Sequence, residues 1–319
     1  MQIAHGLDGL RQLPPAAALS IGNFDGLHVG HAAIVRRLGE LAPGGAIAVA
    51  TFEPHPLTVL RPHLAPPRLT PAPLKRRLLA SMGVTHLVEL PPTPEVLNLS
   101  AEAFWRILRD DVRPAHLVEG PTFNFGKDRG GNVGKLIEWS RGGAIGVHIL
   151  RPKEAALLDC SLVEISSTLI RFLVANGRVR DAGLCLDRPY ALAGRVVHGF
   201  HRGRELGTPT ANLQIDDQLI PADGVYAGRC VVDERSYPAA VSIGSNPTFG
   251  DPRIQVEAHL LDFSGDLYDQ TIEVELLDWI RDQRKYAGAE LLIQQIRADV
   301  AETRRIVARP PARSLTIAG

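Results

Sequence analysis

Residues 17–38 read AALSIGNFDGLHVGHAAIVRRL. The apolar run Ala17 to Ile21 has the pattern of a buried strand, and Gly22, Asp25, Gly26 and Gly30 break it into a loop. From His31 onward Ala32, Ala33, Ile34, Val35 and Leu38 recur at helical spacing. A glycine-rich strand-to-helix turn offers backbone N–H groups and the positive helix end to an anion, usually phosphate. His28 and His31 flank that turn. Taken singly, each reads as a hydrogen-bonded bystander. Spaced HxGH at a phosphate-binding turn, the pair points to chemistry on a nucleotide phosphate, donating to the charge that builds when pyrophosphate is displaced.

Working outward, further strand and helix patterns alternate. Strands are predicted at 46–51, 86–90, 116–119 and 145–150, and helices at 74–82, 100–108 and 135–140. Residues 62–73 are proline-rich and read as extended, and residues 120–134 as a glycine-rich loop. Alternation of this kind implies a parallel sheet flanked by helices, with ligands at the carboxyl ends of its strands. Lys75, Arg76 and Arg77 form the densest basic triplet and read as a solvated helix face. In ISSTLIR (165–171), three hydroxyls open a helix predicted to about Ala175. That is compatible with a triphosphate clamp, but read alone it is better described as a serine/threonine cap with a surface arginine.

From Pro189 the pattern changes to short strands, at 190–197, 224–232, 239–243, 254–261 and 272–277. Strands joined by Gly, Pro and Asp turns suggest an antiparallel barrel or sandwich. A final helix over 288–307 places Leu292, Ile296, Val300 and Thr303 on one face and is expected to close the barrel, leaving a frayed tail at 309–319. GFHRGRELGTPTAN (199–212) is the densest motif of this half. Its glycines free the backbone for close approach to phosphate, and Thr210 and Asn212 are hard oxygen donors of the kind Mg²⁺ accepts. Read alone, it is better described as an ordinary turn-rich hairpin connection. On the strand at 254–260, Ile254, Val256, Ala258 and Leu260 face one way and Gln255, Glu257 and His259 the other.

Composition bounds the function. The 319 residues suffice for two domains, and 45% hydrophobic with 22% charged residues is a core-forming balance. Lys+Arg and Asp+Glu both number 35, so no net field draws nucleic acid or anionic lipid. No stretch has the length of a membrane span, and no targeting segment is recognised at the amino terminus. Cys160, Cys185 and Cys230 are odd in number and widely spaced, which predicts a reducing, cytoplasmic setting.

GNFDGLHVGH (22–31), TFEPHP (51–56), FNFG (123–126) and ISSTLIR resemble the adenylyltransferase half of the bacterial bifunctional riboflavin kinase/FAD synthetase family. That resemblance implies a Rossmann-like nucleotidyltransferase domain over 1–186. By the same resemblance, His28 and His31 contact ATP phosphates on the turn formed by Gly22, Asn23, Phe24, Asp25, Gly26 and Gly30. Ser166, Ser167, Thr168 and Arg171 are implied to hold the triphosphate, and Phe52, Pro54, His55, Pro56, Thr122, Phe123 and Phe125 to line the flavin side. GxxxGRxLGxPTAN is similar to the riboflavin kinase signature, which implies a kinase barrel over 187–308. There Gly199, Gly203, Arg204 and Gly207 would meet phosphate, Thr210 and Asn212 would hold Mg²⁺, and Glu257 would deprotonate the ribityl 5′-hydroxyl of riboflavin.

The chain departs from the family at Thr122, where Asp or Asn is usual, at Leu74, at Thr208 and at Gln283, where a carboxylate is usual. The resemblance implies ATP, riboflavin, FMN and FAD as substrates and products, with Mg²⁺; it leaves the oligomeric state open. Two alternatives stand beside full bifunctionality: an adenylyltransferase half impaired at Thr122, and a non-catalytic flavin- or nucleotide-binding regulator. Intact HxGH and Glu257 speak against the second.

Overall fold

The computed structural model describes residues 1–198, 208–246 and 251–310. They form two compact units, one of residues 1–66 and 72–153, the other of 67–71 and the chain from 154 onward. The expected boundary at 186 and this division differ: residues 154–186, ISSTLIR included, belong to the second unit.

In the first unit, strands β1 (Gln2–His5), β2 (Ala18–Gly22), β3 (Ile47–Phe52), β4 (His86–Leu90) and β5 (His116–Glu119) join β8 (Gly146–Ile149) in one sheet. Its order is β1-β4-β3-β2-β5-β8 and every pairing is parallel. Between β5 and β8 a short hairpin forms from β6 (Asn124–Phe125) and β7 (Gly131–Asn132). The period-2 pattern explains two cores on one sheet. Leu19, Ile21, Ala48, Ala50, Val88, Leu90 and Leu117 pack with Leu10, Phe104 and Leu136 on one face. Ala18, Val49, Leu87 and Val118 pack with Val35, Leu38 and Leu79 on the other. Each fully buried Leu contributes about 1.5–3 kcal/mol relative to an exposed one. Strand β1 was not predicted, because three of its four residues are exposed at the sheet edge and carry no apolar run.

Two local expectations are corrected here. The 62–73 segment is not extended throughout: Pro62–Leu64 makes a tight helical turn and the helix Ala72–Ser81 has already begun. The basic triplet is not a solvated face either, since Lys75 is only 4% exposed and Arg76 is bound bidentately to Glu89 at 2.7 Å.

The second unit opens with an antiparallel pair, β9 (Glu154–Ala156) and β10 (Leu162–Glu164), then helices Ser167–Ala175 and Val179–Leu186. Gly177, at a φ of +73°, turns the chain between those helices where a Cβ would overlap the Trp279 ring. Six strands follow: β11 (Tyr190–Val197), β12 (Ala211–Gln214), β13 (Gly224–Val232), β14 (Arg235–Asn246), β15 (Asp251–Leu260) and β16 (Thr271–Arg281). They close on themselves in the order β11-β12-β15-β14-β13-β16.

Closure is thus made by strand pairing, β16 bonding to both β11 and β13. The terminal helix Ala289–Val307 does not close the barrel as expected; it packs against β13, β14 and β16. Arg281 anchors it through two bonds to the buried Asp299, at 2.9 and 2.7 Å. Residues 67–71 are held by this unit: Leu219 N–H donates to the Arg68 carbonyl, and the Gln218 amide to that of Leu69. Among the described residues no helix is long and apolar enough to cross a membrane.

Candidate active sites

The glycine turn leaves the carboxyl end of β2 beside that of β3. The helix after it runs Val29–Leu41, two residues earlier than predicted, with His28 as its cap. His28 Nδ1 accepts the Gly30 N–H at 3.1 Å, which places the proton of the neutral ring on Nε2 and makes that atom a donor. A Cβ on Gly30 would come within 3.0 Å of the His28 ring, so the glycine inside HxGH is what lets the imidazole fold back. The rings of His28 and His31 stack, centroids 3.8 Å apart, and Phe24 lies against His31 at 4.9 Å.

The TFEPHP segment is tied to that turn. The Asn23 carbonyl accepts from Thr51 Oγ1 at 2.9 Å and Lys75 Nζ at 3.3 Å, and the Asn23 amide lies 3.3 Å from His55 Nε2. Lys75 Nζ also pairs with Glu53 at 3.1 Å. Sequence reasoning missed Lys75; the signal was its place one turn into a helix whose neighbour Leu74 faces the core. Lys75→Met, which removes one half of this pair, is expected to cost about 3 kcal/mol, read as a lower urea midpoint. The double variant Lys75→Met/Glu53→Gln should recover most of that loss.

The remaining predicted residues divide. Phe125 lies in the core, stacked on Phe123 at 5.5 Å and packed against Phe104, while Thr122 is exposed on the loop before it. Phe52, His55 and Pro56 are half-buried, and Pro54 is exposed. ISSTLIR opens a helix of the second unit: Ser166 Oγ accepts the Leu169 N–H at 3.2 Å, and Arg171 Nε donates to the Pro67 carbonyl at 2.8 Å. Ser166 is thus the helix cap that the motif read alone suggested.

On the barrel, Val256, Ala258 and Leu260 are buried as the predicted alternation requires, and Ile254, in the same unbroken register, is 47% exposed near the strand's start. Glu257 on β15 stands directly across from Asn212 on β12 and from Ser242 on β14. The three are half-buried on the face turned away from the core. His259 Nδ1 donates to the Pro209 carbonyl at 2.7 Å, fixing the segment that carries Thr210. Gln283 Nε2 donates to Ser242 Oγ at 2.8 Å and to the Ile243 carbonyl at 3.0 Å, bonds that a carboxylate there could not donate. Gln283 stood out in the sequence only as a departure from the family, and its partner Ser242 was not assigned a role, since a serine is not diagnostic away from its neighbours. Thr210, Asn212 and Glu257 each carry a side-chain oxygen of the kind a hard divalent cation accepts. His198 stacks on Tyr268 at 3.9 Å. Gly199, Gly203, Arg204 and Gly207 lie outside the described residues, as do Pro247, Thr248, Phe249 and the tail from residue 311.

Family comparison assigns both halves. A riboflavin kinase model matches residues 186–307 and an FAD synthetase model residues 10–168. A bifunctional riboflavin kinase/FMN adenylyltransferase of Pseudomonas fluorescens is 38% identical over 313 residues, covering 97% of this chain and 98% of its own. The chain belongs to the bifunctional riboflavin kinase/FMN adenylyltransferase family. The family member of Escherichia coli K12 is 35% identical over 304 residues, covering 94% of this chain and 96% of its own. Among solved structures, one described as a macrolide-efflux protein from Streptococcus pneumoniae is 30% identical. It superposes with a TM-score of 0.83 over 95% of this chain and 99% of that one. It shares the fold of both units.

Proposed function

We infer that this chain performs both transfers of its family. It phosphorylates riboflavin to FMN with ATP, and it adenylylates FMN to FAD with release of pyrophosphate. The observation that carries the reading is that each half keeps its chemical groups in a built setting. HxGH caps a helix at the carboxyl end of β2, and Glu257 stands beside Asn212 on the barrel.

In the first reaction, Glu257 takes the proton of the ribityl 5′-hydroxyl as that oxygen attacks the γ-phosphorus of ATP, and ADP leaves. Ser242, held by Gln283, borders the base on one side and Asn212 on the other. Thr210 and Asn212 would hold Mg²⁺, which when bound neutralises triphosphate charge. In the second reaction, a phosphate oxygen of FMN attacks the α-phosphorus of ATP and the bond to pyrophosphate breaks. His28 and His31 donate to the charge that develops there, and no covalent intermediate is needed. The turn from Gly22 to Gly30 supplies backbone donors. The hydroxyls of Ser166, Ser167 and Thr168 and the cation of Arg171 are assigned to triphosphate by family resemblance, supported for the hydroxyls by their place at a capped helix start. Flavin contacts are assigned to the TFEPHP segment, Thr122 and Phe123 on the same basis. A cytoplasmic location belongs to the same proposal, supported by three free cysteines.

Incubating the purified chain with riboflavin, ATP and Mg²⁺ and separating the flavins by chromatography tests the whole reading. FMN followed by FAD is expected. FMN without FAD would select the impaired-adenylyltransferase alternative, and neither product would leave only a binding protein.

A further inference from the structure

The sheet of the first unit comes apart at one seam. Strands β2 and β5 pair only at Ala18 with His116 and Leu19 with Leu117. By contrast, β2 stays in register with β3 as far as Gly22, and β5 with β8 as far as Glu119. The seam opens at the carboxyl ends of β2 and β5, and the strand order reverses there, from β2 toward β3 on one side and from β5 toward β8 on the other. Such a switch point is where open α/β sheets hold their ligands.

Glu119 fills this seam. A continued ladder would set it opposite Ile21; instead its Oε1 accepts the Ile21 N–H at 2.8 Å. Both residues are only 3% exposed, and a buried backbone donor that loses its acceptor is costly. Burial pushes the Glu119 carboxyl well above the usual carboxylate range, against the weaker opposing pull of the Ile21 N–H and the Ser20 hydroxyl. The favoured neutral acid both accepts and donates, and an amide copies it in size and polarity. One residue beyond Ile21 the strand ends and the turn toward His28 begins.

We propose that Glu119 is a positioning residue for adenylyl transfer: by accepting the Ile21 N–H in the open seam, it holds the end of β2 from which the HxGH turn springs. The proposal rests on the adenylyl-transfer reading above. Glu119 acts through β2, and the catalytic donors remain His28 and His31. An apolar side chain in its place lets the end of β2 shift, and the two imidazoles shift with it.

The test compares full-length E119M and E119Q with the parent for FAD formation from FMN and ATP. Riboflavin phosphorylation by the same preparation reports that the second unit is folded, and slow amide exchange along β3 and β4 reports the same of the first. E119M is expected to lose roughly tenfold to a hundredfold in kcat, with KM for ATP and FMN little changed. E119Q should stay within about twofold of the parent, because its amide oxygen still accepts from Ile21. A kcat for E119M equal to the parent's, or an E119Q as impaired as E119M, overturns the proposal. Should E119M fail to accumulate, amide hydrogen exchange on the parent and E119Q decides: slow exchange at Ile21 in both is expected, and rapid exchange in either overturns it. That measurement does not involve the reaction. A parent that makes no FAD would therefore sink the adenylyl-transfer reading while the Ile21 amide still judged the seam.

Discussion

Replacing His28 and His31 together with alanine is expected to abolish FAD formation from FMN and ATP, while FMN formation from riboflavin continues at the parent rate. Each imidazole is assigned a hydrogen bond that strengthens as charge develops on the α-phosphate. Removal of one such donor costs about 10²–10³-fold in kcat. The single variants separate chemistry from scaffolding. His28 also caps its helix through Nδ1 and the Gly30 N–H, so His28→Ala should cost about 1 kcal/mol of stability besides activity. His28→Asn can still cap but has no imidazole Nε2 donor, so it should keep the stability and lose the rate. His31 lies inside the helix and makes no cap, so His31→Ala should act on kcat with little change in the unfolding midpoint. Steady-state kinetics on both reactions, with urea unfolding of the same samples, would check this. FAD synthesis unchanged in the double variant would remove the histidines from the mechanism.

The second large effect is expected at Glu257. Glu257→Gln keeps the size of the side chain and its hydrogen-bonding edge, and it lies on the barrel face opposite the buried Val256 and Ala258. The fold should therefore stand, while riboflavin phosphorylation falls by about 10²–10⁴-fold, the usual contribution of a positioned base. FAD formation from supplied FMN should persist, because the groups assigned to adenylyl transfer are separate from β15. A KM for riboflavin that rises while kcat holds would show that Glu257 binds the flavin rather than accepting its proton. Loss of both reactions would show that the two halves do not work independently.

The elements that were legible in advance share a physical basis. Strands β2, β3, β4 and β5 are short apolar runs whose alternate residues meet two different cores, and the pattern is written residue by residue. The HxGH turn was legible because glycine and histidine at that spacing have few uses. Glu257 was legible as a side chain on the outward face of a strand, which period-2 alternation alone predicts. Lys75 and Glu119 were not. Each is a charged type whose burial is permitted only by a partner from a distant segment, Glu53 in one case and the Ile21 N–H in the other. Pattern reading assigns such residues to solvent by default.

By itself, then, the sequence determined an α/β nucleotide-binding half and an antiparallel half, with the family signatures of both. It determined this because hydrophobic periodicity and turn chemistry act over a few residues. The tertiary structure alone decided which strands become neighbours. It let β16, rather than the terminal helix, close the barrel. It placed residues 154–186 with the second unit. And it parted β2 from β5 so that a buried carboxyl takes the place of the missing ladder beneath the phosphate turn. Those outcomes depend on pairing between segments as far as 98 positions apart, and no local pattern encodes the energies of such contacts.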